Sequence, residues 1–310
     1  MIQDVKYLME DVKEMVNDIN KMSFDFGGCD GVPNIQDKRL TFEYGKEKRG
    51  LHVKTCVLYV DVRNSVKLTH EHTIKKMGKV FTAFTKASIM AAYRHGGRVR
   101  NIIGDRVMVV FPKEHCFMNA VECAISINHI ASNILNNNLN GIKFRCGIGI
   151  DYGDMYCIKA GMYKRGSERE EHQRLIWLGL PANNASRLTD QANKEYNETR
   201  YKIKALVRKI FMPGQQRLFQ DPYETHEMTI PAEKIVEDVL KDRIHQATIC
   251  EKNEDKGSFP SILISNAVYE GYKKDCPNCN SIKQGYWKKV DAKIRDVTYD
   301  VYGGSIVWEE

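Results

Sequence analysis

Cys56-Val57-Leu58-Tyr59-Val60-Asp61-Val62-Arg63-Asn64-Ser65 and Asn101-Ile102-Ile103-Gly104-Asp105-Arg106-Val107-Met108-Val109-Val110-Phe111 frame the stretch from which the rest of the chain is read. The first is an apolar run that ends on a carboxylate; the second is two apolar runs around another. Short β-branched runs predict buried strands, and Gly104-Asp105 predicts the tight turn of a hairpin. If the strands are neighbours, Asp61 and Asp105 meet at one end of a sheet. Paired carboxylates there suit two magnesium or manganese ions holding a triphosphate. Taken singly, each acid has a plainer reading, Asp61 as a helix cap and Asp105 as a turn residue.

Outward from this stretch, Asn64 or Ser65 is a suitable N-cap and predicts one long helix to about His95. Backbone amides at its start, from Arg63 to Ser65, are expected to point at nucleotide phosphates. After the hairpin a second helix is predicted over roughly 114–137. Phe144 to Cys157 then reads as a strand, a glycine-containing turn and another strand. The order strand, helix, strand, strand, helix, strand is that of a ferredoxin-like βαββαβ sheet in an α+β protein. Many unrelated proteins share that sheet, so it does not decide function.

The flanks carry less. Val5, Leu8, Val12, Met15, Val16 and Ile19 recur at helical spacing and predict an amphipathic helix that packs on the body or on a partner copy. Residues 23–50 read as an irregular connector with a short strand at Arg39–Tyr44. Residues 195–256, rich in Lys, Glu and Gln, suggest an insertion with one helix around Ile235 to Leu240 and the character of a surface elaboration, a lid or a dimer arm. A strand at Ser261–Ser265, a helix at Asn266–Tyr272 and strands at Tyr286–Val290 and Val297–Tyr302 complete the sheet.

Composition bounds the function classes. With 310 residues, 42% of them hydrophobic and 28% charged, the chain can bury a substantial core. The net charge of +7 is dispersed along the sequence, which does not imply nucleic acid. No window is long and apolar enough for a membrane span. Nine cysteines, an odd number, predict reduced thiols and a cytoplasmic setting. Cys276-Pro277-Asn278-Cys279 has zinc-knuckle spacing but no second pair, and is read as reduced turn cysteines with zinc as the alternative.

Leu175-Ile176-Trp177-Leu178-Gly179-Leu180-Pro181-Ala182-Asn183-Asn184-Ala185-Ser186-Arg187-Leu188 completes the chemistry. Pro181 suits a helix start, and Asn183 and Arg187, four residues apart, share one helix face. An amide and a guanidinium so arranged could hold a ribose and a developing phosphate charge; the plainer reading is a polar first turn with a surface arginine.

With these four features in order, the sequence resembles the class III nucleotidyl cyclases over roughly residues 51–194 and 257–302. The resemblance implies domain limits of 1–50 for the helix and connector, 51–194 for the catalytic core, 195–256 for the insertion and 257–310 for the end of the catalytic domain. It implies that Asp61 and Asp105, assisted by the Val62 carbonyl, hold two divalent cations, Mn2+ or Mg2+. Arg145 would contact the β- and γ-phosphates, Asn183 the ribose, and Arg187 the transition state. Lys293, or failing it Arg295, would complete the site from the C-terminal strands. The expected reaction is in-line attack of the ribose 3′-hydroxyl on the α-phosphorus, with pyrophosphate leaving. The resemblance also implies a homodimer whose two sites each draw on both chains.

Two departures bear on the base. Purine cyclases carry a Lys or Glu where this chain has Asn101, and Asp, Thr or Cys where it has Ile176. Tyr59 stands two residues before Asp61, and a phenol with the Asn101 amide could meet a pyrimidine edge. This pattern is similar to the pyrimidine cyclases of Pycsar antiphage systems, which make cyclic CMP or cyclic UMP for a separate effector protein. CTP and UTP stay equally open, since an amide pairs with either base. The alternatives are an adenylate or guanylate cyclase with unusual base contacts and a silent nucleotide-binding module.

Overall fold

A computed structural model of the chain describes residues 2–43, 45–139, 141–161, 163–164, 167–168, 173–209, 223–290, 294 and 296–309. They fall into two compact units, Met1–Lys194 with Pro260–Glu310, and Glu195–Phe259.

In the first unit, α1 (Ile2–Lys21) precedes β1 (Phe24–Gly28) and β2 (Lys48–Val62), which pair in parallel. Then come α2 (Ser65–Glu71), α3 (Ile74–Arg94), the hairpin of β3 (Arg98–Ile103) and β4 (Arg106–Val110), and α4 (Cys116–His129). A π-helical turn, Ile130–Leu135, carries α4 into the short α5 (Asn136–Asn138). β5 (Cys146–Ala160) follows, then the two-residue strands β6 (Tyr163–Lys164) and β7 (Ser167–Glu168), β8 (Arg174–Leu178) and α6 (Leu180–Gln191).

The second unit holds β9 (Glu195–Arg208), β10 (Tyr223–Pro231), α7 (Ala232–Leu240) and β11 (Ile244–Ser258). The chain closes the first unit with β12 (Ile262–Ser265), α8 (Asn266–Asp275), α9 (Asn280–Lys283), β13 (Lys288–Lys289) and β14 (Val301–Gly304).

The main sheet runs β13-β14-β12-β5-β2-β4-β3. Its β5-β2-β4-β3 part is the order of a βαββαβ unit, extended past β5 by the C-terminal strands. Alternation along β2 divides the core. Cys56, Leu58, Val60 and Val62 enter the cluster with Phe84 of α3 and Val121 and Ala124 of α4, whereas Val53 and Val57 join Met108, Met155, Ala182 and Ala185 on the α6 side.

Several expectations are corrected. The helix after β2 is two helices: Thr73, whose side chain accepts from the Lys76 N–H, starts α3 afresh. Asn64 occupies the N-cap of α2 in the left-handed region (φ 58°) and its side chain caps nothing. The Arg63 N–H donates to the Arg145 carbonyl (2.8 Å), so it is not free for a phosphate. Residues 146–160 form one strand rather than strand, turn and strand, because β2 offers a continuous partner from Leu51 to Val62. In the connector the strand is β1, and Thr41 makes a single bridge to Arg49. The terminal strands are shorter than predicted, at Lys288–Lys289 and Val301–Gly304.

The amphipathic α1 does not bury its stripe on the body: Val5, Leu8, Val12, Met15, Val16 and Ile19 are all exposed. The helix is tied near its C-terminus, where Asp18 accepts from the buried Lys48 ammonium (3.3 Å) and the Gly45 N–H. The insertion is mainly sheet, β10-β9-β11, with α7 as its helix. Alternating Ile203 and Ala205 of β9 pack with Ile244 in a small core of that unit. Cys276 and Cys279 are disulfide-bonded, not reduced, as the turn between them holds the Cα atoms 5.5 Å apart. Glu122 lies within 4.8 Å of both sulfurs, but these are engaged with each other, not offered to zinc. Among the described residues no helix is long and apolar enough to cross a membrane.

Candidate active site

Asp61 lies at the end of β2, on the sheet face it shares by alternation with Val57 and Tyr59. Val60 pairs with Val107, so the next residue of β4 towards the turn, Arg106, stands abreast of Asp61, and Asp105 lies just beyond in the hairpin turn. Gly104 takes φ +61° there, the left-handed conformation that a turn of this kind requires. Both aspartates thus lie at one end of the sheet. The Asp105 Oδ2 is buried and has no hydrogen-bond partner. An orphaned buried carboxylate oxygen is costly, and a hard cation would satisfy it. Asp61, Asp105 and the carbonyl of Val62, which ends β2, are an all-oxygen donor set that fits magnesium or manganese.

Arg106 is the residue that sequence reasoning missed. Its guanidinium donates to Asp61 Oδ2 (2.9 Å), to Ser186 Oγ (2.8 Å) and to Asp190 Oδ1. Burial opposes its charge, but the bonds to the two aspartates outweigh it and raise the guanidinium above its ordinary value. The signals were present. Arg106, Met108 and Val110 alternate onto the face of Asp61, and Ser186 and Asp190 are four apart on a helix.

α6 lies close on the sheet because β5 has glycines beneath it. A Cβ at Gly149 would run into the Ala185 carbonyl and the Thr189 N–H, and one at Gly147 into the Arg63 guanidinium and the Ala192 carbonyl. The buried Arg63 side chain in turn donates to the Thr189 carbonyl at the end of the helix. α6 therefore presents one buried stripe and, opposite it, one polar stripe in which Asn183, Ser186, Arg187 and Asp190 fall at i, i+3, i+4 and i+7. Ala182, Ala185 and Leu188 are buried, Ser186 and Asp190 meet Arg106, and Asn183 and Arg187 are exposed. Arg187 donates to the Asp296 carbonyl (3.3 Å). Among the described residues no hydrogen bond or ion pair joins Asn183 or Arg187 to Asp61 or Asp105.

Neighbouring Asn184 points inward and donates to Asp151 Oδ2 (2.8 Å). Asp151 is 5% exposed, and burial pushes its carboxyl up against the opposing pull of hydrogen bonds from Ser265 and Asn184. Both residues, with Tyr299, line an open cavity of about 630 Å³. Burial also pushes the Tyr299 phenol up, and its hydroxyl has no partner.

Of the remaining sequence candidates, Tyr59 and Asn101 fall in one row across the sheet with β4 between them, and Ile176 does not. Met108 pairs with Tyr59 on one side and Asn101 on the other, so the three form one row on the α6 face. Tyr59 is half-buried, and desolvation raises its phenol although Arg106 pulls the other way. Ile176 sits on β8 opposite Ile158, far along β5 from that row. Arg145 is exposed just before β5 and lines a second cavity of about 440 Å³ with Asn128, Asn133, Asn136 and Asn193. Lys293 and Arg295 lie outside the described residues.

No protein-family model matches the chain. It is 27% identical over 168 residues to a uridylate cyclase of Burkholderia cepacia, covering 53% of this chain and 69% of that one. It is 28% identical over 121 residues to a cytidylate cyclase of Staphylococcus aureus, covering 36% of this chain and 28% of the relative. Among solved structures, a bacterial light-regulated adenylyl cyclase aligns over 98% of this chain and 64% of its own, with 15% identity and a TM-score of 0.51. The fold is that of the class III nucleotidyl cyclase catalytic domain.

Proposed function

We propose that the chain is a pyrimidine nucleotide cyclase that converts CTP or UTP to the 3′,5′-cyclic monophosphate and pyrophosphate. The observation that carries the reading is the carboxylate pair at the sheet end, with Asp105 Oδ2 buried and lacking a partner. The similarity to a uridylate and a cytidylate cyclase supports the pyrimidine class.

Asp61, Asp105 and the Val62 carbonyl would hold two divalent cations. When bound, these ions supply charge neutralisation for the triphosphate and a lower pKa for the ribose 3′-hydroxyl. The chain's own groups do the rest. Asn183 orients the ribose so that its 3′-oxygen is in line with the α-phosphorus. Arg145 holds the β- and γ-phosphates, and Arg187 offers donors to the oxygens of the α-phosphate as charge builds there. Lys293 adds a further cation. The new bond joins O3′ to phosphorus, the α–β bridging bond breaks, the hydroxyl proton passes to solvent and pyrophosphate departs.

Tyr59 and Asn101, in one row, supply a phenol and an amide for the base edge, which suits a pyrimidine better than the bulkier purines. Among the described residues, Asn183 and Arg187 are exposed and make no hydrogen bond to Asp61 or Asp105 of their own chain, which supports a homodimer in which each site takes its aspartates from one copy and its α6 pair from the other. The resemblance drawn from the sequence adds that the product is a second messenger in antiphage signalling, read by a separate effector protein.

The test is purified protein with Mn2+ and each of ATP, GTP, CTP and UTP, with products resolved by chromatography. The expected outcome is a 3′,5′-cyclic pyrimidine nucleotide and pyrophosphate, reduced about a thousandfold in Asp105→Ala. A cyclic purine would overturn the base reading, and no product from any of the four would favour a silent nucleotide-binding module.

A further inference from the structure

Arg106 presents a contradiction within the site. Asp61 is one of the two carboxylates that suit a divalent cation, yet its Oδ2 already accepts from a guanidinium at 2.9 Å. The Asp61 side chain is only 17% exposed and that of Arg106 26%, so the pair is sheltered from solvent and weakly screened. Arg106 is also not held by Asp61 alone. Ser186 and Asp190, one turn apart on α6, accept from the same guanidinium, Asp190 from the same Nη2 that meets Asp61.

We propose that Arg106 is the resting counter-cation of Asp61, and that a divalent cation binds by taking its place, with Asp190 and Ser186 retaining the displaced guanidinium. This rests on the reading of Asp61 as a metal ligand. The physical reason is competition. A guanidinium and a metal ion both require the lone pairs of one carboxylate, and a fork with five donors can leave one acceptor while keeping others. Asp190 is the better retainer because it is more open, 48% exposed against 17% for Asp61. The same exchange couples the cation to α6: with Asp61 released, Arg106 binds to that helix only. Arg106 is thus a positioning residue, acting on the cation through Asp61.

The test is direct binding of Mn2+ to the nucleotide-free protein, followed by the loss of the free-ion electron paramagnetic resonance signal, with thermal melting to check each variant's fold. The counter-cation role predicts opposite signs for two substitutions. Arg106→Gln removes the competitor and tightens Mn2+ binding about threefold to tenfold. Asp190→Asn removes the retaining charge, leaves Arg106 more firmly on Asp61 and weakens binding by a similar factor. A merely structural Arg106 would weaken binding in both variants or in neither, and either pattern overturns the proposal. Should Arg106→Gln not fold, Asp190→Asn decides alone: unchanged or tighter binding refutes the exchange. Asp61→Asn separates the two levels. If it leaves Mn2+ binding unchanged, the metal reading of Asp61 has failed, and the counter-cation with it. If it abolishes binding while the other two variants bind as wild type, only the counter-cation has failed.

Discussion

At the scale of single residues, burial decides which charges the protein tolerates and on what terms. Asp151 is held beneath α6 by Asn184, and desolvation raises its carboxyl more than the hydrogen bonds from Ser265 and Asn184 lower it. The folded protein therefore keeps the proton over a pH window in which the unfolded chain has released it. Stability falls as pH rises from the ordinary carboxylate value through the raised one, and is not recovered at neutral pH. Asp151→Asn cannot ionise and can still accept from Asn184. Urea denaturation should show the variant gaining on wild type as pH climbs through that window. A difference independent of pH would mean that Asp151 ionises as freely folded as unfolded.

At the scale of elements, the site depends on how closely a helix approaches a strand and on where helices begin. Gly149 lets the Ala185 and Thr189 backbone lie directly on β5. Gly149→Ala should cost about 1–3 kcal/mol in denaturant unfolding, because a helix packed by Ala185 and Leu188 has no room to retreat. Thr73 starts α3 by accepting from the Lys76 N–H, and Thr73→Ala should cost about 1 kcal/mol in the same assay. The π-helical Ile130–Leu135 is a further local feature: Ser132 turns back to the Asn128 carbonyl (2.7 Å), and the widened turn passes the cavity that Arg145 lines.

At the scale of the molecule, one polar stripe of α6 carries two sets of groups with different partners. Ser186 and Asp190 serve the Asp61 end of their own chain, whereas Asn183 and Arg187 are exposed beside the C-terminal segment. If each site is shared between two copies, mixing Asp61→Ala with Arg187→Ala chains under conditions that allow exchange should restore activity. Random reassortment puts half the chains in mixed dimers with one intact site in two, or about a quarter of wild-type activity. No recovery on mixing would refute the shared site. The insertion folds on a separate core around Ile203, Ala205 and Ile244, so substitutions there should melt that unit without touching the row of Tyr59, Met108 and Asn101. Circular dichroism alongside nucleotide turnover would check this.

The sequence by itself determined the ferredoxin-like sheet, the Gly104-Asp105 hairpin and the helix that carries Asn183 and Arg187, because each is written in a local period of two or of three to four residues. It also brought out both carboxylates, as each ends or turns an apolar run. Tertiary structure alone decided the rest. That Arg106 meets Asp61 and Asp190, 45 and 84 residues away, depends on the β2–β4 register and on the seating of α6, which the local periods of the two elements allow but do not fix. That β5 runs unbroken through Gly153 depends on the length of its partner β2. That residues 195–259 make a sheet with its own core depends on strand pairings between segments far apart in sequence, which a charged composition conceals. Local periodicity selects the elements; the meeting of side chains is set by how those elements pack.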